Sequence, residues 1–391
     1  MIESPVWTYG PSGSGGVMES LGWLTDVMRS RNGAQQKRQL RERPRRYFEY
    51  DMTLSRANRT TVDMFINALG ITQCVLPVWH DVQVIDAVAA GATEIPCATA
   101  GYELVAGGIA VLIGKGAQVA VEVLAVDDGL LTLAEPLAAA WPAGTKLYPG
   151  CLATLSDASQ ETGLTGRIGV RTVRFAIQGD IDWPAAWDAY YLGAPVLTRC
   201  PVIGSGVDSE IKRDIVEVDE EVGPVVRYDY PGRAFRSVGM EFVVKGRAQA
   251  ASVRSLIYGL RGRAENIWVP TWNRDLQPSG PASGTALRIK AVGYAYYGLN
   301  NPALQHIRIA RESGAATYHR ITAAVGEAGG TELLTISPAL AAPLAESDIR
   351  SICFVVLSES ASDTFEIVHP QTADGITRAA VKFQAIKHEL T

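Results

Sequence analysis

The sequence has few cysteines and no long apolar run. These two features argue against a disulfide-rich or zinc-binding protein and against a membrane-spanning one. The cysteines are odd in number, widely spaced and without a Cys-x-x-Cys pair, which argues against a disulfide framework and a structural zinc site. No apolar stretch is long enough to cross a bilayer, so we expect no membrane contact. The N-terminus lacks the pattern of a secretory signal, which favours folding in a reducing cytoplasm. We interpret the five cysteines as core-packing residues: Cys74, Cys97, Cys151, Cys200 and Cys353.

An excess of charge of one sign is also missing. The chain has 36 Lys and Arg against 41 Asp and Glu, a net charge of −5. It therefore lacks the global basic field that dominates nucleic-acid affinity, and we expect no specific nucleic-acid partner. With 391 residues, 47% of them apolar, the chain can form two or three globular domains.

Catalytic and metal-binding patterns are nearly absent. The five histidines have no His-x-His, His-Glu-x-x-His or His-x-x-x-His spacing. The glycine-rich segments 10–16 and 204–206 lack the Lys-Ser/Thr of a phosphate loop and the Gly-x-Ser-x-Gly of a hydrolase. His80 and Asp81 suggest a dyad, but neighbours on a strand point to opposite faces. We therefore predict no enzyme activity, no metal site and no cofactor.

A faint internal duplication is the strongest signal in the chain. Residues 50–82 and 241–276 share an alternating strand, a polar turn, an amphipathic helix ending near a glycine, and an apolar strand. The apolar helix positions match without a gap: Val62, Phe65, Ile66 and Leu69 against Val253, Leu256, Ile257 and Leu260. Each copy then reaches a Trp and an Asp that we interpret as structural anchors: Trp79 and Asp81, then Trp272 and Asp275.

Short β-branched runs separated by turn residues fill the rest of both copies, and each copy closes on an alternating strand. The pattern predicts a mainly-β fold with α+β character: tandem duplicated β-sandwich or barrel domains, each carrying one packed helix. The predicted boundaries are 1–49 for an N-terminal extension with a basic arm, 50–178 for the first β-rich repeat, 179–232 for an aromatic and acidic linker arm, and 233–391 for the second repeat.

Two charged runs of opposite sign precede the two copies. Residues 29–46 carry a single acid among many arginines, and residues 208–221 are mostly acidic. Complementary arms set the register of association, and the arginine fork suits paired carboxylates. Two unrelated solvated faces, or contact of the basic run with nucleic acid, are the alternatives. The predicted subunit-contact residues are Arg38, Arg41, Arg43, Arg45 and Arg46 in the basic run and Glu217, Asp219, Glu220 and Glu221 in the acidic run.

The linker arm carries four large aromatic residues: Trp183, Trp187, Tyr190 and Tyr191. Such side chains need cover, so we expect an ordered arm rather than a flexible tether. Two outcomes stay open. The aromatics either pack on the parent domains or cover a neighbouring subunit, because aromatic residues are enriched at interface cores.

The N-terminal residues resemble a known family. The strings Trp23-Leu24-Thr25-Asp26-Val27-Met28 and Arg43-Pro44-Arg45-Arg46-Tyr47-Phe48-Glu49-Tyr50 precede a helix and a strand ending in Trp-x-Asp. This order is similar to the opening of tail-tip proteins of long-tailed, siphovirus-like bacteriophages. The fragment Tyr191-Leu192-Gly193-Ala194-Pro195-Val196-Leu197 also resembles a recurring phrase of those proteins.

The resemblance implies a distal tail protein or a neighbouring baseplate component, a structural protein of the virion tail tip assembled in the host cytoplasm. It implies a homo-oligomeric ring, of three or six chains, and as further partners the tail tube protein, the baseplate hub protein and other tail-tip or fibre proteins. The tandem copy departs from the simplest distal tail proteins, which have one tube-like domain and an unrelated outer domain.

Two other functions stay open. A carbohydrate-binding tail-associated module, or an esterase, could contact the host surface, because exposed aromatics on β-rich domains can stack sugars. The tail-tube subunit itself conflicts with the length and the duplication of this chain.

Overall fold

The protein is mainly β in a computed structural model that describes residues 4–12, 15–114, 116–156, 160–179, 182–202, 208–372 and 374–387. Strands hold 53% of the residues and helices 11%, so the predicted mainly-β class with few helices is confirmed. Of the predicted alternatives, the closed barrel is wrong for the described residues, because the antiparallel sheets stay open.

The first unit, Val17–Gln178, begins with a long β-hairpin and contains one α-helix. Helix α1 spans Arg56–Leu69 and ends at Gly70, whose φ of 49° favours glycine. The strands of this unit are β1 (Val17–Arg29), β2 (Gln35–Ser55), β3 (Cys74–Pro77), β4 (Gln83–Ile85), β5 (Glu94–Pro96), β6 (Ile109–Ile113), β7 (Gln118–Asp127), β8 (Leu130–Leu133), β9 (Thr145–Leu155), β10 (Gln160–Thr165) and β11 (Ile168–Gln178).

A short two-stranded ribbon, β12 (Tyr190–Tyr191) and β13 (Ala194–Pro195), leads to the second unit, Ser209–Ala385. Helix α2 spans Arg247–Leu260 and ends at Arg261, which takes the left-handed conformation directly before Gly262. The strands of this unit are β14 (Ser209–Val218), β15 (Val226–Lys245), β16 (Asn266–Pro270), β17 (Ala286–Lys290), β18 (His306–Arg311), β19 (Ala316–Glu327), β20 (Thr331–Ser337), β21 (Ile349–Ser360), β22 (Thr364–His369) and β23 (Ile376–Ala385).

The two units have the same topology. In the first, β2 pairs with β11, β11 with β9, and β9 with β3; in the second, β15 pairs with β23, β23 with β21, and β21 with β16. Strand β10 adds to β11 as β22 adds to β23. Each unit also has a small lobe, made by β5 to β8 beside β9 and by β17 to β20 beside β21.

Equivalent side chains form the two main cores, where one face of each sheet packs against its helix. Because strand side chains alternate, β2 buries Phe48, Tyr50, Met52 and Leu54, while β15 buries Val238, Met240, Phe242 and Val244. The register agrees: Tyr50 lies opposite Val173 on β11, and Met240 opposite Val381 on β23. Met240 is therefore the counterpart of Tyr50, and this equivalence extends along both hairpins.

The duplication reaches further towards the N-terminus of each copy than the predicted boundaries. The basic run lies in the hairpin β1–β2 and the acidic run in the equivalent hairpin β14–β15. The predicted N-terminal extension and linker arm are corrected accordingly, because both charged runs are strands of the units. Charged residues that are half-exposed or exposed on β2 and fully exposed on β14 hid both strands in the sequence.

The cysteines are free thiols, and the core-packing interpretation holds for only part of the set. Cys74, Cys151 and Cys353 are buried, and Cys97 is half-buried against the small lobe of the first unit. Cys200 is exposed, so the prediction of a core position is wrong for this residue. Among the described residues no helix has the length and apolar character needed to span a membrane.

Candidate functional site

The two units meet through strand β1, which belongs to the first hairpin but completes the sheet of the second unit. Strand β1 pairs antiparallel with β22, from Val17 opposite His369 to Gly22 opposite Thr364. Leu21 and Trp23 are buried in the second core, where Trp23 packs edge-on against Phe365. We call this contact the junction. It makes one continuous sheet across the chain, in the order β10-β11-β2-β1-β22-β23-β15-β14.

A buried network of charges lies at the junction. Glu19 on β1 accepts from Arg46 Nε at 2.6 Å and from Arg254 Nη2 at 2.5 Å. Glu103, from the loop before β6, binds the same two guanidiniums, at 2.6 Å from Arg46 Nη2 and 2.9 Å from Arg254 Nη1. Arg254 comes from helix α2, so each carboxylate joins the first unit to the second. All four side chains are buried.

Opposite charges keep this network ionised. Burial raises the pKa of Glu19, but the Arg254 and Arg46 guanidiniums outweigh burial and hold that pKa well below its usual value. The pKa of Glu103 is lowered for the same reason. Burial alone would lower the pKa of Arg46, yet Glu103 and Glu19 hold it well above the ordinary arginine value. The network is therefore a fixed set of ion pairs at neutral pH.

A second buried pair lies beside the first. Arg247 Nη2, at the start of α2, lies 2.5 Å from Asp81 Oδ1, and the backbone N–H of Glu103 donates to Asp81 Oδ2 at 2.9 Å. Burial raises the pKa of Asp81 and lowers the pKa of Arg247. Both shifts favour the neutral forms of the side chains. The loss of hydration on burial therefore outweighs the attraction between the Asp81 carboxylate and the Arg247 guanidinium.

Two histidines stack at the centre of the junction. The rings of His80 and His369 are parallel within 5°, with centroids 3.7 Å apart. His369 Nε2 lies 2.7 Å from Glu19 Oε2, whereas both ring nitrogens of His80 are buried without a hydrogen-bond partner. Burial lowers the pKa of His80 well below its usual value and that of His369 to about 4. Both rings are therefore neutral at pH 7.

This cluster is not built for a metal ion. Glu19, His80 and His369 each place one ligand atom within 4.8 Å of the others. A ring nitrogen binds a metal along a lone pair in the ring plane, so two parallel stacked rings cannot both aim at one ion. The guanidiniums of Arg46 and Arg254 also occupy the Glu19 carboxylate and would repel a dication.

Within the basic run, one predicted contact residue is wrong. Arg46 is buried in the network of its own chain, so it cannot contact another subunit. Arg41 turns inward, and its Nη1 donates to Gly22 O at 2.8 Å. Arg38, Arg43 and Arg45 are exposed.

Part of the basic run binds the second unit of the same chain. The buried carboxylate of Glu359 on β21 forms three ion pairs. The N···O distances are 3.4 Å to Arg29, 2.7 Å to Lys37 and 3.2 Å to Arg263. The attraction between a basic arm and a carboxylate thus operates within one chain. The predicted acidic partners Glu217, Asp219, Glu220 and Glu221 are exposed near the tip of the second hairpin.

Three of the four linker aromatics pack on the parent chain, which is the first of the two outcomes left open. Trp183 covers the guanidinium of Arg254 at 4.9 Å. Trp187 packs on the second core, and Tyr191 is buried with its hydroxyl 3.0 Å from His306 Nδ1. Tyr191 is therefore covered by the parent chain, while Trp183 and Trp187 are partly covered by it. Tyr190 is 64% exposed and stays available.

The predicted anchors are structural, but one local expectation is wrong. Residues Trp79–Asp81 form a turn of 3-10 helix rather than a strand, and all three side chains are buried. Asp275 accepts from the Thr271 hydroxyl and from the Phe354 N–H, tying down the loop after β16. Trp272 is half-buried under the Arg308 guanidinium at 5.0 Å.

No sequence motif indicated the residues that build the junction: Glu19, Glu103, Arg247, Arg254 and His369. No local spacing connects them, because Glu19 and His369 are 350 positions apart. One usable signal was present. Arg254 interrupts the apolar face of α2, among the positions that match those of α1. A charged residue on an otherwise buried helix face points to a buried partner.

Each end of the continuous sheet is a strand with one unpaired edge. Among the described strands, β10 pairs only with β11, and β14 pairs only with β15. Every residue of β14 is exposed, including Ile211 at 70%. We call the outer edges of β10 and β14 the two free edges. Unpaired edges are templates for another strand.

Comparison with protein-family models finds no family whose model matches the chain, and comparison with curated proteins finds no significant match.

Proposed function

We propose that this protein is a ring-forming structural component of a bacteriophage tail tip, a distal tail or adjacent baseplate protein that joins the tail tube to the hub and receptor-binding apparatus. The observation that carries the proposal is the junction, in which one unit completes the sheet of the next and leaves two free edges. On this proposal the same head-to-tail arrangement is repeated between chains, and it closes into a ring when the rotation per unit permits. The N-terminal resemblance supports the same assignment.

The proposed role is mechanical rather than catalytic. The titratable groups gathered at the junction are buried and face one another, with Glu19 and His80 fully inaccessible. A substrate cannot reach them without separating the two units. The network therefore fits a rigid joint between ring segments better than a reaction centre, and the proposed site of action is the virion.

The proposal predicts rings in the purified protein. Mass photometry should show particles of three or six times the 41.9 kDa chain mass, and negative-stain images should show a central hole. Particles that stay single by sedimentation velocity at concentrations of hundreds of micromolar would contradict the ring. Long filaments would instead indicate a tail-tube subunit.

A pair of exposed tyrosines favours carbohydrate binding as the second candidate function. Tyr296 and Tyr297 are 80% and 76% exposed on a π-helical turn of the second small lobe, with ring centroids 4.6 Å apart. Exposed aromatic faces can stack sugar rings. On this alternative, host surface glycans bind the protein in a glycan array, and Tyr296→Ala with Tyr297→Ala lowers binding at least ten-fold. Unchanged array binding in that variant would exclude the pair as the site.

A further inference from the structure

The duplication identifies counterparts of the junction strands that have no partner inside the chain. Leu21 on β1 lies opposite Arg46, and Ile211 on β14 lies opposite Arg236, the counterpart of Arg46 in the second hairpin. Leu21 is 0% exposed because it enters the core of the second unit, whereas Ile211 is 70% exposed. Strand β14 therefore presents the residues of a junction without the surface that covers them.

The opposite side of the junction also has an uncovered counterpart. Helix α2 buries nine residues, including Arg247 and Arg254, which reach the first unit, but α1 buries only Val62 and Leu69. The position of Arg254 on α2 corresponds to Asp63 on α1, whose side chain is 44% exposed. Strand β10, the counterpart of β22, is exposed beside α1. The surface formed by α1 and β10 thus lacks a neighbouring strand. Strand β14 of another chain could supply it.

Charge supports this match. In the junction Arg46 Nε donates to Glu19 on the neighbouring strand β1; in the second hairpin Arg236 Nε donates to Ser209 Oγ at 2.9 Å in the same arrangement. Arg46 and the helix residue Arg254 carry the same charge, and both bind the carboxylates of Glu19 and Glu103. Their counterparts Arg236 and Asp63 have opposite charges and can pair directly.

We propose that β14 of one chain adds antiparallel to the free edge of β10 in a second copy, with Arg236 facing Asp63, so that the junction is repeated between chains. This inference rests on the proposed ring and specifies its contact surface. It continues the sheet order from β14 of one chain into β10 of the next. Within the chain, Ser20 on β1 lies opposite Glu366 on β22. Glu210 on β14 and Gln160 on β10 are the counterparts of these two residues, so the same register places Glu210 opposite Gln160.

A proline on the free edge tests the strand pairing. Gly239 N–H donates to Asp208 O at 2.9 Å, so by alternation the N–H of Ile211 points away from β15. Ile211→Pro removes this outward donor without removing a donor to β15. We expect the concentration for half-assembly, measured by mass photometry, to rise at least ten-fold. The control Val222→Pro lies in the turn of the same hairpin, at 91% exposure, and should leave assembly within three-fold.

A charge swap tests the facing pair. Arg236→Glu alone and Asp63→Arg alone should each raise the concentration for half-assembly at least ten-fold, because like charges then face each other. The chain carrying both changes should assemble within three-fold of the unmodified protein. This rescue separates a contact between chains from local damage, since Asp63 also binds Arg171 within its own chain. A double variant no better than the singles would overturn the pairing.

Disulfide trapping tests the register in a Cys200→Ser background. Glu210→Cys with Gln160→Cys should give chains linked to one another on oxidation, seen on a non-reducing gel. Glu210→Cys with Leu164→Cys should not, because four residues along a strand span about 13 Å. If rings form but neither trapping nor Ile211→Pro has the expected effect, the contact surface is wrong and the ring stands. If the unmodified protein never associates, both proposals fail.

Discussion

Replacing Arg254 by methionine lowers the free energy of unfolding by about 3–5 kcal/mol, since the change leaves buried carboxylates without one of their cations. Arg254 is 3% exposed and binds Glu19 and Glu103 together. Methionine keeps the apolar stem, so lost packing contributes little. Urea unfolding at pH 7 measures the effect.

The matched control is Arg227→Met. Arg227 also forms an ion pair, 2.9 Å from Glu217, but the two side chains are 68% and 54% exposed. Because water screens exposed pairs, this change should cost less than about 1 kcal/mol. Equal losses in the two variants would show that burial at the junction does not strengthen the dependence on Arg254.

Acidification from pH 6.5 to pH 5 lowers the free energy of unfolding by up to about 2 kcal/mol for each of His80 and His369. Burial depresses the pKa of both rings in the folded protein, that of His369 to about 4, while an unfolded histidine titrates near 6.5. The unfolded chain therefore binds protons first as the pH falls. Their contribution is fully present above pH 6.5 and is lost on the way down to the folded pKa values.

His80→Phe isolates one of these rings. Both nitrogens of His80 lack a hydrogen-bond partner, so phenylalanine removes a titratable group without breaking a hydrogen bond. We expect the variant to be at least as stable as the unmodified protein at pH 7. Its loss of stability between pH 6.5 and pH 5, followed by urea unfolding, should be about half as large. An unchanged pH dependence would contradict a depressed pKa of His80 in the folded protein.

Local periodicity was enough to predict the fold class and the duplicated core. The matched positions from Val62 to Leu69 and from Val253 to Leu260 do lie on the helices that cover the two sheets. These features depend on neighbours within a few turns of helix or a single strand, which is the range over which a sequence pattern carries information. The strand alternation of Val173 and Phe175 is of the same kind.

The junction could not be predicted in this way, because the ion pairs that hold it together join residues far apart in the chain. Arg46 was predicted to contact another subunit, and only the approach of Glu19 and Glu103 makes it a buried residue of its own chain. The charge pattern of the basic run was visible, but the placement of each arginine was not. Trp79, His80 and Asp81 were misplaced because a single turn of 3-10 helix leaves no periodicity to detect.

The pairing of β1 with β22 also bears on how a ribosome must produce this protein. Glu19 and His369 are separated by 350 residues, so at 5–20 residues per second the two sides of their contact are synthesised roughly 18–70 s apart. During that interval the nascent hairpin has an open edge that the corresponding late strand of an adjacent nascent chain can capture. We therefore expect closely spaced ribosomes on one message to promote exchanged hairpins, and sparse, rapid translation to favour closure within one polypeptide.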